Sequence, residues 1–299
     1  MSSLKLKGNV ELSSTSMQGQ GRPLGDLAPL EEHLETLERL ERTLDQLDQL
    51  QQEIGRELTV DGESIGYEIP TGFLLSVIVP VYNEVATIGE VLSRLAASPI
   101  PKEVIVVDDA STDGTRSVLE LWQSAPGIRI VFKEQNAGKG AAIRTGLAEA
   151  RGGVVLVQDA DLEYDPRDIP TLIKPIIQGT ADVAYGSRFI GYDRFAGAWW
   201  QALANRLLTF LSNRTTGARL TDMETGYKAF TREAILGVRL TQDRFGFEPE
   251  VTAKLARRGC RFVESPVRYV PRSFAEGKKI RFKDALFALY AICRFGWGD

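Results

Sequence analysis

Two carboxylates two residues apart, Asp159 and Asp161, follow directly on the apolar run Val154-Val155-Leu156-Val157. A continuous, mostly β-branched run of this kind suits a strand covered on both faces, and in open α/β sheets ligands bind beyond the carboxyl ends of the strands. If the chain stays extended, residues i and i+2 point the same way, so both carboxylates converge on one hard cation through oxygen ligands. The competing reading is a solvated acidic turn, which a three-residue match taken alone favours. The surroundings decide between them.

From Phe73 onward, apolar runs alternate with amphipathic segments. Residues 74–79 read as a strand ending in Pro80, Tyr82, Asn83 and Glu84, followed by a helix over 86–97 with Ile88, Val91, Leu92 and Leu95 on one face. Residues 104–107 form a second strand ending in Asp108 and Asp109, with Ser111 or Thr112 placed to cap a helix running to about Trp122. A third strand, 128–132, leads into Asn136-Ala137-Gly138-Lys139-Gly140 and a helix to about Ala150; the fourth carries the acidic pair. This alternation predicts a parallel, right-handed βαβ sheet whose polar strand ends share one edge. No GxGxxG follows the first strand, and Gly138-Lys139-Gly140 lacks the Walker spacing. Its glycines permit a tight turn, or Lys139 lies beside a phosphate.

With 299 residues, 43% hydrophobic and 25% charged, the chain has the composition of a soluble globular protein. A formal charge of −4 argues against coating nucleic acid through bulk charge. Two cysteines, Cys260 and Cys293, make no disulfide framework, and the single histidine, His33, lies far from every strand-end cluster. Histidine triads and zinc sites are thereby disfavoured. The first residues, MSSLKLKGNVELSS, hold no signal-peptide core, and nothing approaches the ~20 apolar residues of a membrane span. A cytoplasmic setting, with peripheral contact at the membrane face, is expected.

Residues 1–29, rich in Ser, Gly, Gln and Pro, read as a disordered arm. Over 30–57, Leu37, Leu40, Leu44, Leu47 and Ile54 keep a helical spacing among charged residues, widened by Leu34 and Leu50. This helix either pairs two subunits as a short coiled coil or lies on its own domain. Residues 58–72 read as a linker.

With PVYNE, VVDDASTDGT, NAGKGAA and QDADLEY in order, followed by GSRF, DMETGYKAF, FEPEV and VPRSFAEGKKI, the chain resembles family 2 glycosyltransferases. The likeness is to the dolichol-phosphate mannosyltransferase and polyprenyl-phosphate glycosyltransferase branch, across residues 73–293. It implies a GT-A fold, a Rossmann-like α/β domain over 73–275 with a mostly parallel sheet flanked by helices, here with an N-terminal helical extension. It implies a nucleotide-sugar donor, with Pro80, Tyr82, Glu84, Val106 and Asp108 at positions that hold base and ribose. Asp159, Ala160, Asp161 and Glu163 match the diphosphate site, where Asp159, Asp161 and Glu163 would ligate Mg²⁺ or Mn²⁺. Arg188, Arg272 and Lys278 match phosphate-contacting positions, and Lys139 joins them. Asp161, Arg188, Asp222 and Lys228 are the expected catalytic set, with Arg206 and Lys228 facing an acceptor phosphate.

The scarcity of histidine bears on the acceptor. A sugar hydroxyl needs a base during attack, whereas a phosphate monoester is already ionised near neutral pH. This favours a lipid phosphate; if a base is needed, Asp222 comes first, then Glu224 or Glu248. Trp199, Leu203, Leu207, Phe210 and Leu211 share one helical face, and residues 276–299 form a basic amphipathic helix with Lys278, Lys279, Arg281 and Lys283. Core packing is expected for most of these apolar residues, with peripheral membrane contact layered on it. The expected activity is inverting, metal-dependent transfer of a hexose, from GDP-mannose before a UDP-sugar, to polyprenyl or dolichyl phosphate. The alternatives are a soluble or protein-linked acceptor, or a non-catalytic nucleotide-sugar-binding scaffold assembled through residues 30–57.

Overall fold

The computed structural model describes residues 59–60, 63–191, 199–244, 246–272 and 282–296. The chain divides into two units at Arg56 and Glu57, and only the second is described. The arm over 1–29, the helix over 30–57, Lys278, Lys279 and Arg281 lie outside the described residues.

Within the stretch read as a linker, β1 (Thr59–Val60) pairs antiparallel with β2 (Glu63–Ser64). Ile65, Ile69 and Phe73 then pack against the core, and Tyr67 OH donates to Pro170 O at 2.7 Å. The apolar runs build one sheet: β3 (Leu75–Val81), β4 (Lys102–Asp108), β5 (Ile128–Phe132), β6 (Val154–Val157), β7 (Val183–Ser187), β8 (Lys228–Thr231) and β9 (Phe262–Pro266). Their order is β5-β4-β3-β6-β8-β7-β9. All of β3 and β6 is buried, which explains runs that are continuously apolar rather than alternating.

Helices cover both faces. Val77 and Val79 meet Ile88 and Leu92 of α1 (Ile88–Ala97) in one cluster, whereas Ile78 meets Ile143 and Leu147 in the other. Each such fully buried aliphatic side chain stabilises the fold by roughly 1.5–3 kcal/mol. α2 (Thr115–Glu120) starts from Gly114 at φ 99° with no side-chain cap, so the expected cap at Ser111 or Thr112 is not formed. α3 (Lys139–Glu149), α4 (Ile169–Ile177), α5 (Trp199–Thr216), α6 (Arg232–Leu236), α7 (Phe247–Arg257) and α8 (Phe282–Gly296) follow.

The parallel order holds from β5 through β6 and for β7 with β9, but β8 runs antiparallel between β6 and β7. Val157, at the end of β6, pairs with Lys228, at the start of β8. The reversal therefore delivers the chain before β8 to the edge where the acidic pair emerges. Core packing fails for one predicted face: Leu203, Leu207 and Phe210 of α5 are about 60% exposed. Asn205, Thr209 and Ser212 take the buried side instead.

Candidate active site at the strand ends

The loops leaving β3, β4 and β6 each contain a non-glycine residue in the left-handed region: Asn83 (φ 51°), Ala110 (φ 61°) and Leu162 (φ 62°). Among the described residues these are the non-glycine positions with positive φ, so backbone strain gathers along this edge. Hydrogen bonds between loops hold it. Asn83 N donates to Ser111 Oγ at 2.9 Å, Thr112 N donates to Asn83 Oδ1 at 2.7 Å, and Glu84 N donates to Thr115 Oγ1 at 2.9 Å. Ser111 and Thr112 thus join β3 to β4 instead of capping α2. Tyr82, on the same loop, stays 38% exposed.

Asp108 is fully buried, accepting from Ser111 N at 3.1 Å and Arg116 Nε at 2.7 Å. Its neighbour Asp109 shapes the glycine loop: it pairs with Lys133 and accepts from Ala137 N at 3.1 Å and Gly138 N at 2.6 Å. The sequence marks Asp109 as a strand-end acid but assigns it no role; the loop it holds comes from residues 24 to 29 positions away. Pro80 and Val106 lie within buried strand, as core residues beneath the site. Side chains at Gly138 or Gly140 would run into the backbone carbonyls of Asp243 or Gln242, so these glycines permit a close chain approach.

Lys139 and Arg272 meet the acids. Lys139 Nζ lies 2.8 Å from Asp159 Oδ1 and 3.1 Å from Glu248 Oε1. Burial alone would lower its pKa, but Asp159 and Glu248 outweigh burial and keep it protonated. Arg272 donates to Glu84 at 2.8 and 3.3 Å and to Asp161 Oδ2 at 3.0 Å. The Asp161 carboxyl is pushed up to about 7 by burial first, then by the charges of Asp159 and Glu163. The two aspartates are therefore brought together. Glu163 is turned to the following chain, accepting from Tyr269 OH at 3.0 Å and Arg272 N at 2.9 Å. Ala160 is buried, and its carbonyl accepts from Thr87 Oγ1 at 2.7 Å, tying β6 to α1.

No group of three metal-ligating side chains converges among the described residues. The donor chemistry nonetheless fits a hard divalent cation: Asp159 and Asp161 supply oxygens, and each already attracts a protein cation. Glu163, the third residue of the expected triad, lies beside the pair with its carboxylate accepting from Tyr269 OH and Arg272 N.

Behind this edge lies a second cluster. Asp222 is fully buried and accepts from Arg188 N at 3.0 Å, Arg188 Nε and Nη2 at 2.7 Å, and Asn205 Nδ2 at 2.9 Å. Burial would raise its pKa, but Arg188 and these bonds hold it below the usual range, so Asp222 is poorly suited as a base. Arg188 is correspondingly engaged with Asp222 and stacks 5.1 Å from the Tyr269 ring centroid. Lys228, expected beside an acceptor phosphate, is instead fully buried, donating to Met223 O at 2.7 Å over the Tyr185 ring. Burial lowers it to about 7. The neighbouring Glu224 rises to about 8, by burial and then the charge of Glu248. Among the described residues, Glu224 Oε1 and Glu248 Oε2 are buried without hydrogen-bond partners. Arg206 is exposed, 5.5 Å from the Phe189 ring, and both line a cavity of about 380 Å³ with Phe210, Leu220 and Thr221.

A family model described as glycosyl transferase family 2 matches residues 76–237. Glycosyltransferase AglJ of Haloferax volcanii is 33% identical over 205 residues, covering 68% of this chain and 65% of that protein. An undecaprenyl-phosphate 4-deoxy-4-formamido-L-arabinose transferase of Edwardsiella ictaluri is 32% identical over 210 residues, covering 68% and 62%. The chain spans less than two thirds of the length of both relatives. Among solved structures, glucosyl-3-phosphoglycerate synthase from Mycobacterium tuberculosis, in complex with Mn²⁺, UDP and phosphoglyceric acid, superposes with a TM-score of 0.59 at 22% identity. That alignment covers 76% of this chain and 80% of the synthase, and it identifies a shared fold.

Proposed function

We propose that this chain, which belongs to glycosyl transferase family 2, transfers a sugar from a nucleotide-sugar donor to a polyprenyl phosphate. The observation that carries this reading is the edge where the paired strands β3 and β6 end: Tyr82 leaves β3 exposed, and the two carboxylates after β6 already hold a lysine and an arginine. An aromatic ring suits a base, and cations beside acids suit a diphosphate and its metal. The name of the Edwardsiella relative supports the class of acceptor.

In this reading Tyr82 stacks on the base, and Lys139 and Arg272 bind diphosphate oxygens. A Mg²⁺ or Mn²⁺ held by Asp159 and Asp161 would stabilise negative charge on the leaving nucleoside diphosphate. An acceptor phosphate oxygen attacks the anomeric carbon as the bond to the diphosphate breaks, a single displacement that inverts that centre. The phosphate arrives ionised, so no residue need remove a proton, in keeping with Asp222 being bound to Arg188. Arg206 is the acceptor-side cation, with apolar Phe210 and Leu220 beside it for the isoprenoid. The exposed faces of α5 and α8, Leu203, Leu207, Leu286 and Phe287, support contact with a lipid surface. No described helix is long and apolar enough to cross a membrane.

GDP-mannose is the first donor to test and UDP-sugars the second. Calorimetric titration with GDP and UDP, each with Mn²⁺ and with EDTA, tests the donor site. Metal-dependent binding of one nucleotide is expected; no binding of either by folded protein contradicts the reading.

A further inference from the structure

We propose that Tyr164 is a positioning residue of the transfer reaction: its buried hydroxyl clamps the loop before β8 against the acidic pair, and so sets the acceptor side of the site against the donor side. This rests on the functional reading above. Tyr164 is 2% exposed, and its ring packs on Tyr227, at 5.2 Å between centroids, and on Tyr269, at 5.4 Å. For packing alone a phenylalanine would serve, because a hydroxyl buried in an aromatic cluster costs free energy unless it is bonded. Here the oxygen accepts from Gly226 N at 3.1 Å and from Thr225 Oγ1 at 3.3 Å, so both bonds run to one segment.

That segment joins the two sides of the site. At Gly226 it lies so near the acidic pair that a side chain there would collide with Asp159 Oδ2 and crowd Lys139 Nζ. At its other end Asp222 accepts from Asn205 Nδ2 at 2.9 Å, and Met223 N donates to Thr209 Oγ1 at 3.1 Å. The loop is thereby fastened to α5, which carries Arg206. Tyr164, three residues after Asp161, therefore ties the helix bearing the acceptor-side cation to the strand end that holds the donor's diphosphate. Among the described residues its hydroxyl bonds to the loop and to neither Lys139 nor Arg272. Removing it should leave the hold on the nucleotide intact and disturb the alignment of attack, where a misplacement of about 1 Å costs on the order of 100-fold in rate.

Tyr164→Phe keeps the ring and removes the acceptor of the two loop bonds. Hydrogen exchange read by mass spectrometry should speed up over residues 222–228 by about 2- to 10-fold, the equivalent of one buried hydrogen bond, and stay unchanged over β3 and β6. In steady-state transfer from GDP-mannose or UDP-glucose to detergent-solubilised polyprenyl phosphate, kcat should fall by about 10- to 100-fold, while the calorimetric Kd for GDP or UDP with Mn²⁺ stays within about twofold of the parent. Thr225→Val, which leaves the Gly226 bond, should show the same pattern with a smaller loss, and thermal melts report folding in both. An unchanged kcat, or unchanged exchange over 222–228, in folded Tyr164→Phe overturns the proposal, as does a nucleotide Kd that weakens by the factor that kcat loses. A parent chain that binds neither nucleotide and transfers no sugar contradicts the functional reading, and this proposal falls with it.

Discussion

Glu224 combines a carboxyl raised to about 8 with an oxygen that no hydrogen bond satisfies. Its folded pKa lies above the unfolded value of 4.5, so the stability associated with its protonated form is full below that value and lost as pH rises through about 8. Lys228, lowered to about 7, acts in the opposite sense between that pH and 10.5, which leaves pH 5 to 7 as the window where the acid dominates. Asp161, raised to about 7, adds to the same slope. Urea unfolding at pH 5 and pH 7 should show stability falling with pH, and Glu224→Gln should reduce that fall by on the order of 1–3 kcal/mol. An equal fall in the variant would remove Glu224 as its source. The acidic pair itself was legible in the sequence because a buried strand ends directly before it. The burial of Lys228 was not, since a lysine enters a core only where tertiary partners such as Met223 O and Tyr185 await it.

Helix α5 shows what periodicity does and does not contain. A 3–4 spacing identifies residues that share a face, but not which face turns inward. Here the polar face is drawn in by specific bonds: Asn205 to Asp222 at 2.9 Å, Met223 N to Thr209 Oγ1 at 3.1 Å, and Asn213 to Leu220 O at 2.7 Å. Leu211 of the predicted apolar face packs against the core, but Leu203 (61% exposed), Leu207 and Phe210 are left outside. The double substitution Leu203→Ser and Leu207→Ser should therefore change stability by no more than about 0.5 kcal/mol. It should also lower co-sedimentation with phosphatidylglycerol vesicles. Unchanged vesicle binding would count against a lipid-facing role for this helix. Strand β8 was equally hidden, because DMETGYKAF reads as a polar motif and its four-residue strand is fixed by pairing with β6 and β7.

At the scale of the whole molecule, residues from Glu57 onward form a compact unit of their own. Removing residues 1–56 should spare the active site, as activity measured on the shortened chain would show. Light scattering before and after removal tests whether residues 30–57 join subunits; the same subunit number in both would reject the coiled coil. The alternation of strands and helices was readable because β3 to β6 follow one another in sequence with one helix between each pair. The Arg272 link to Glu84 was not, because it spans 188 residues. The central claim is sugar transfer at the end of β6, and it is tested most directly with labelled GDP-mannose and UDP-glucose, detergent-solubilised polyprenyl phosphate and Mn²⁺. Label from one donor should enter the organic phase with the full chain and fail to do so with folded Asp161→Asn. Transfer that persists undiminished in Asp161→Asn, or label that never reaches the lipid from either donor, would contradict the account.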